Sequence, residues 1–207
     1  MQRFILQSNI RRFEDALREE TDTRCRAGLQ DMLALARREL ALLNVAESGV
    51  RTVPAPLCGR PDRADDLRRC FRQALDASSE ARLILDLGPG LHIVDVSDVY
   101  AETTMVQRAC VAGEALFDVF PENPREPTAD GASKVYESLR RVVETRRPDA
   151  MPVQRYDVRD LEGRFVERYW RTLNSPLFDD RGRLACILSR VVDVTAQVLG
   201  GPLARAF

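Results

Sequence analysis

The residues able to carry chemistry are few in this 207-residue chain, and their types narrow what it does. There is one histidine, His92, which excludes a two-histidine metal site, an HExxH zinc site and a paired-histidine acid–base site. The cysteines, Cys25, Cys58, Cys70, Cys110 and Cys186, are widely spaced and form no CxxC pair. That spacing supports neither a structural zinc site nor a thioredoxin-type motif. Cys110 and Cys186 stand among apolar neighbours and are expected to be buried, inert thiols. Asp157, Asp160 and Glu162 gather at a Glu-Gly turn and read as solvated turn residues, not as acid–base catalysts. Arg140-Arg141 and Arg146-Arg147 form a basic strip at the end of a predicted helix, where cations complement the helix dipole. No nucleophile–base–orienter set and no metal-ligand cluster emerges, so the chain is not expected to be an enzyme.

The charges are balanced, 31 basic against 32 acidic residues for a net −1, which gives no global pull toward nucleic acid or anionic lipid. A 44% hydrophobic content is enough for a real core. No stretch approaches the roughly 18 apolar residues of a membrane span, and no secretory leader pattern opens the chain. The expectation is a soluble, cytoplasmic protein with free thiols.

Two helices are predicted over residues 1–47, with Thr21-Asp22-Thr23 as the capping punctuation between them. In the second, Leu29, Leu33, Ala36, Leu40 and Leu43 follow a heptad spacing. Such faces must be covered, either by the chain's own domain or by a second copy in a homodimer. Residues 48–61 are rich in Pro and Gly and read as a linker. A flanking amphipathic helix over 62–79 is capped by Asp62 and carries Leu67, Cys70, Phe71, Ala74 and Leu75 on one side. From about residue 81 the period changes to that of strands. Two strands meet at Gly88-Pro89-Gly90, and helices follow over 98–109, around 117–120 and over 130–146. Three strands close the pattern, Met151–Arg159, Phe165–Leu177 and Leu184–Val194. Hairpins on either side of a helical insert predict an α+β fold, an antiparallel sheet with helices on one face.

This order resembles a PAS domain over residues 80–198, in the manner of the sensor modules of bacterial two-component histidine kinases. The matching pieces are DVSDVYAETT from Asp95 to Thr104, GEALFDVF from Gly113 to Phe120, QRYDV from Gln154 to Val158, ERYW from Glu167 to Trp170, and Asp193-Val194-Thr195. Ser97 and Val99 stand where the family usually has Asn and Ala. The resemblance implies a five-stranded antiparallel sheet, a ligand cleft beneath it, and signal coupling through Asp193 and Thr195 to a flanking helix. The cleft lining it implies is Phe117, Phe120, Val135, Tyr136, Leu139, Val143, Trp170 and Ile187.

No cofactor is expected in that cleft. The haem-binding members use a histidine on the central helix, and 130–146 has none, while His92 lies on an early strand. The photoreactive flavin members need a cysteine where this chain has Leu116. Room is left for a small ligand of unknown identity. Only twelve residues follow Thr195, with Gly200-Gly201-Pro202 among them and residues 199–207 as a tail, so a continuing signalling helix is not expected. The resulting expectation is a stand-alone sensory protein. It would dimerise through its helical hairpin and act in trans on a signalling partner such as a histidine kinase or response regulator, without nucleic acid or membrane. The alternatives are a ligand-free dimeric adaptor and, less in keeping with the residues, a cleft enzyme.

Overall fold

The computed structural model describes residues 1–50, 69, 71–126, 129–179 and 181–200. Two long helices come first, α1 (Gln2–Glu19) and α2 (Thr23–Ser48). A third, α3, is helical over 71–76. Then follow β1 (Ala81–Leu85), β2 (Ile93–Val96), α4 (Asp98–Thr103), α5 (Arg108–Val111), α6 (Leu116–Val119) and α7 (Gly131–Thr145). The last part comprises β3 (Asp149–Ala150), β4 (Gln154–Arg155), β5 (Val158–Arg159), β6 (Phe165–Val166), β7 (Tyr169–Phe178), β8 (Leu184–Asp193) and α8 (Thr195–Leu199).

The hairpin forms where its punctuation predicts. Asp22 caps α2 by accepting from the Cys25 N–H at 2.8 Å. Arg26 donates to the carbonyls of Leu17 and Glu20 at 2.7 and 2.8 Å, satisfying groups that the end of α1 leaves open. Of the heptad positions, Leu33 and Ala36 are buried within the chain, and Leu29, Leu40 and Leu43 are half-buried. The far end of α2 is fastened to the sheet domain. Gly90 N–H donates to the Val45 carbonyl at 2.8 Å, and Val50 N–H to Leu87 at 3.3 Å. Gly49 lies between them at φ 61°, where a Cβ would fall 2.0 Å from the Gly88 carbonyl oxygen, so only glycine fits this crossing. Arg38 and Glu122 add an ion pair at 3.1 Å.

One antiparallel sheet carries the domain, in the spatial order β2-β1-β8-β7-β3, with β4 also pairing β7. β5 and β6 form a separate small hairpin. The predicted strand Met151–Arg159 is therefore two short pieces, β4 and β5, with β3 ending just before it, and Phe165–Leu177 is interrupted at Glu167-Arg168. Pro152 has no N–H for the ladder, which breaks the first of these. Tyr156 then turns inward, its hydroxyl donating to the Phe120 carbonyl at 2.5 Å. The predicted 98–109 helix is also divided. Thr103 and Thr104 hydroxyls bond back to the Val99 and Tyr100 carbonyls, and Met105 takes a positive φ of 58°. At the start of α4, Ser97 does the work of a cap, accepting from Tyr100 N–H at 3.1 Å while donating to the Glu80 carbonyl at 2.9 Å.

The two sheet faces have different covers. On one side lie α4 to α7 and the main core, including Leu139 and Ile187, both fully buried. On the other, Phe71 and Leu75 of α3 pack over Ile84, Val94 and Cys186. Ala74, expected on this inward side, is exposed instead. Cys58, Asp62, Leu67 and Cys70 and the linker beyond Val50 lie outside the described residues, as does the tail after Gly200. No helix among the described residues is long and apolar enough to cross a membrane.

Candidate functional site

A cavity of about 90 Å³ lies between the sheet and the helices. Alternation along the strands builds its floor: Trp170, Thr172 and Asn174 of β7 point the same way as Ser189 and Val191 of β8. Leu83 and Leu85 of β1 complete that face. Tyr100 and Thr104 come from the region of α4, Leu116 and Phe117 from α6, and Val135 from α7. Phe120 closes one wall edge-on to Tyr100, with ring centroids 6.0 Å apart. Gln154 and Tyr156 enter from the broken edge strand. Burial pushes the hydroxyls of Tyr100 and Tyr156 well above the ordinary phenol range, so both rings are neutral walls.

Four residues expected in the cleft, Phe117, Phe120, Val135 and Trp170, line this cavity. Leu139 and Ile187 belong to the close-packed core beneath it, and Tyr136 and Val143 pack against that core. The polar floor, Thr172, Asn174 and Ser189, was missed. Its signal was present, because these residues continue at a period of two from Trp170 and Ile187.

From the floor a hydrogen-bonded chain runs outward through α7. Ser189 Oγ donates to Asn174 Oδ1 at 2.5 Å, Asn174 Nδ2 donates to Ser138 Oγ at 2.8 Å, and Ser138 Oγ donates to Asp149 Oδ2 at 2.5 Å. Arg141 closes the chain with two bonds of 2.9 Å to the Asp149 carboxylate. Asn174 and Ser138 are 1% and 0% exposed, so the low local dielectric strengthens the chain and makes any break costly. Arg141, helped by Ser138 and opposed by desolvation, holds the Asp149 carboxyl below its ordinary range. Since the folded pKa is the lower one, this stabilisation is complete above the unfolded value of about 3.9 and fades as pH falls through the folded value. Asp149→Asn is expected to flatten the acid limb of stability below about pH 4 and to cost under about 1 kcal/mol at neutral pH. Urea titrations of both proteins across that range check it; identical acid limbs would deny Asp149 this role.

Asp193 and Thr195 sit where β8 passes into α8. Asp193 Oδ1 accepts from Thr195 N–H at 2.8 Å, and Thr195 Oγ1 accepts from Tyr169 N–H at 2.9 Å. The pair therefore fastens the start of α8 to the start of β7, one residue from Trp170 in the cavity floor.

Other expectations fare differently. Cys110 is exposed, not buried, because α5 is a short surface turn; Cys186 is fully buried under α3. Asp157 is only 7% exposed and is no solvated turn residue. Burial pushes its carboxyl up, but Arg155 and Asn123 outweigh that and hold it below the ordinary range. Asp160 and Glu162 do form the turn, with Asp160 accepting from the Glu162 and Arg164 N–H groups. Arg140 and Arg141 pair with Glu144 and Asp149. His92 is half-exposed at 3.8 Å from Asp86, away from the cavity. A second, polar hollow of about 180 Å³ is lined by Glu122, Asp130, Lys134, Arg155 and Asp157, among others. Its charges are engaged in ion pairs, Lys134–Asp130 at 2.8 Å, Arg155–Asp157 at 2.8 Å, Arg155–Glu126 at 3.1 Å and Glu122 with Arg38 of α2 at 3.1 Å. No group of three or more potential metal ligands occurs among the described residues.

The decisive observation is topological. Two adjacent strands open the domain at one edge, four helices cross the sheet, and the remaining strands return to the middle and far edge, in the order β2-β1-β8-β7-β3. The cavity lies under the crossing helices. This is a PAS-like fold. Among solved structures, the chain is similar to a light-oxygen-voltage domain studied with a flavin analogue, at 18% identity and a TM-score of 0.45, covering 65% of this chain and 89% of that one. The PAS domain of the fruit-fly ELK potassium channel matches at 14% identity and a TM-score of 0.44, over 63% and 96% of the two chains. The PAS domain of a protein from Colwellia psychrerythraea matches at 14% and 0.45, over 63% and 98%. No family model and no curated protein matches the chain. In the PAS-like domain of this chain Leu116, at the position where the resemblance would put a photoreactive cysteine, lines the cavity, whereas Cys110 is exposed.

Proposed function

We propose that this chain is a sensory module whose PAS-like cavity biases the packing of flanking helices, and that it signals through protein–protein contacts and not by catalysis. The observation that carries this reading is the largely apolar cavity with a polar floor, joined to the surface by the Ser189–Asn174–Ser138–Asp149–Arg141 chain. A change in cavity occupancy would shift this chain at one end and the Asp193–Thr195 junction at the other, moving α7 and α8 against the sheet. Because α2 packs on α7 and is bonded to the β1–β2 turn, the hairpin is the element that would report the change to a partner. A histidine kinase or response regulator in a cytoplasmic two-component system is the partner class this reading favours.

The same reading includes a homodimer. After α1 and the sheet domain are packed, α2 still exposes Met32, Leu35 and Leu42, at 45%, 41% and 38%. Those three side chains fall on one side of the helix, beside the half-buried Leu43, and a second copy would cover them. Native mass spectrometry of the freshly purified chain reads subunit count and retained ligand together. The expected result is a dimer that becomes monomeric in the Leu35→Asp, Leu42→Asp double variant, with unchanged far-UV circular dichroism. A wild-type monomer would remove the dimer. A dimer with no retained mass and no response to cavity probes would favour the second reading, a ligand-free adaptor.

A further inference from the structure

The cavity is selective in what it can take. Its described lining contains no Asp, Glu, Lys, Arg, His, Cys or Met. An ionised ligand would therefore be buried without a countercharge, and the lining offers neither a His, Cys or Met ligand for a haem iron nor a thiol for a flavin adduct. Its volume of about 90 Å³ is below the roughly 150 Å³ of an engineered apolar cavity that encloses benzene, so one small ring is the largest guest it takes without the lining moving. A tricyclic or porphyrin ring system does not fit. The rings of Phe120, Tyr100 and Trp170 all line it, with Phe120 edge-on to Tyr100, and give a flat guest aromatic walls to pack on.

The polar groups specify more. Asn174 is fully engaged, accepting from Ser189 and donating to Ser138 and, at 3.5 Å, to Met151 Sδ. Trp170 Nε1 donates to the Tyr156 carbonyl at 2.7 Å, the Tyr156 hydroxyl donates to Phe120, and Thr104 donates to Tyr100. Among the buried side-chain polar atoms of the described lining, Gln154 Oε1 alone has no partner in the protein, and Gln154 is only 7% exposed. A buried acceptor left open is costly unless something donates to it. The edge strand places it there by breaking at Pro152 and resuming for two residues, where Gln154 pairs with Trp170 across β4 and β7.

We infer that the cavity binds an uncharged single-ring molecule carrying one N–H or O–H donor, which bonds to Gln154 Oε1 while the ring packs between Phe120 and Trp170. The inference rests on the sensory reading above and adds the chemical class of its signal. Selectivity would come from the unpaired acceptor, since a site built to meet a donor rejects an isostere that lacks one.

Pyrrole and furan are matched probes, equal in ring size, with an N–H only in pyrrole. Binding to the full chain can be read by calorimetry and by the emission of Trp170, the single tryptophan. Pyrrole is expected to bind at least tenfold more tightly than furan, and Gln154→Leu to erase that difference while the thermal transition is retained. Gln154→Met serves as a second variant if Leu fails to fold. Equal binding of the two probes, or a preference for pyrrole that survives both substitutions, would overturn the inference. A flavin or haem mass retained in the native spectrum would overturn the ligand class and leave the sensory reading standing. Binding of neither probe, with no retained mass, would remove both and leave the adaptor.

Discussion

Replacing Arg108 with Met is expected to destabilise the folded chain by about 3–5 kcal/mol, the range for removing one partner of a buried ion pair. Arg108 grips Asp95 with two bonds of 2.9 Å, from Nε and Nη2, and its Nη1 reaches Asp76 at 2.5 Å and Asp98 at 3.1 Å. The Asp95 side chain is 4% exposed and that of Arg108 17%, so water cannot replace the lost partner. Without Arg108, the Asp95 carboxylate keeps, among the described residues, the Val96 N–H at 2.8 Å. Three elements would loosen together, because Asp76 ends α3, Asp95 lies in β2 and Asp98 opens α4. Adding Asp95→Asn in the Arg108→Met background removes the stranded charge and should recover part of the loss. Urea denaturation of the wild type, the single variant and the double variant measures this. A single-variant loss under about 1 kcal/mol would show that the cluster behaves like an exposed pair.

Trp170→Ala is expected to cost a similar amount, about 3–5 kcal/mol, by leaving a void in the cavity floor. Trp170 is 5% exposed and belongs to the main core cluster, in the longest strand pair of the sheet. Its indole also donates to the Tyr156 carbonyl at 2.7 Å, at the point where the edge strand turns inward. Trp170→Phe keeps most of the packing and loses that bond, so it should cost about 1 kcal/mol. The two variants, followed by circular dichroism because the tryptophan is gone, separate packing from hydrogen bonding. Equal losses for Ala and Phe would assign the effect to the bond alone. Trp170→Ala should also abolish discrimination between pyrrole and furan, since the ring wall that orients the guest is removed.

Much of the architecture was legible because it depends on local spacing. The α1–α2 boundary follows from Asp22, whose side chain can reach only its own helix's first turn. Strands β7 and β8 follow from alternation, and turns at Gly163 and Gly182 from residues that accept positive φ, 78° and 70°. The cleft was legible at its aromatic and aliphatic walls. Its polar floor was not, because Thr172, Asn174 and Ser189 read as ordinary strand polar residues until β7 and β8 are placed side by side. Gln154 was passed over for a related reason: in a continuous strand Met151–Arg159 it is unremarkable, and its isolation arises from the break at Pro152. Asp157 and Cys110 were misplaced because burial is a property of what packs over a residue, and neighbours in sequence report it poorly.

What the sequence alone determined are the features held by short-range physics: the capped helices, the strand periods, the turns, the scarcity of catalytic side chains, and the PAS-like order of elements. Tertiary structure decided the rest. It joined Asp76, Asp95 and Asp98 on one guanidinium, ran Ser189, Asn174 and Ser138 into a single chain, and left Gln154 Oε1 without a partner. Those facts depend on which groups meet across strands and helices far apart in the chain, and on the low dielectric that their meeting creates. Hydrogen bonding and burial at such distances are set by the packed whole, where no local spacing records them.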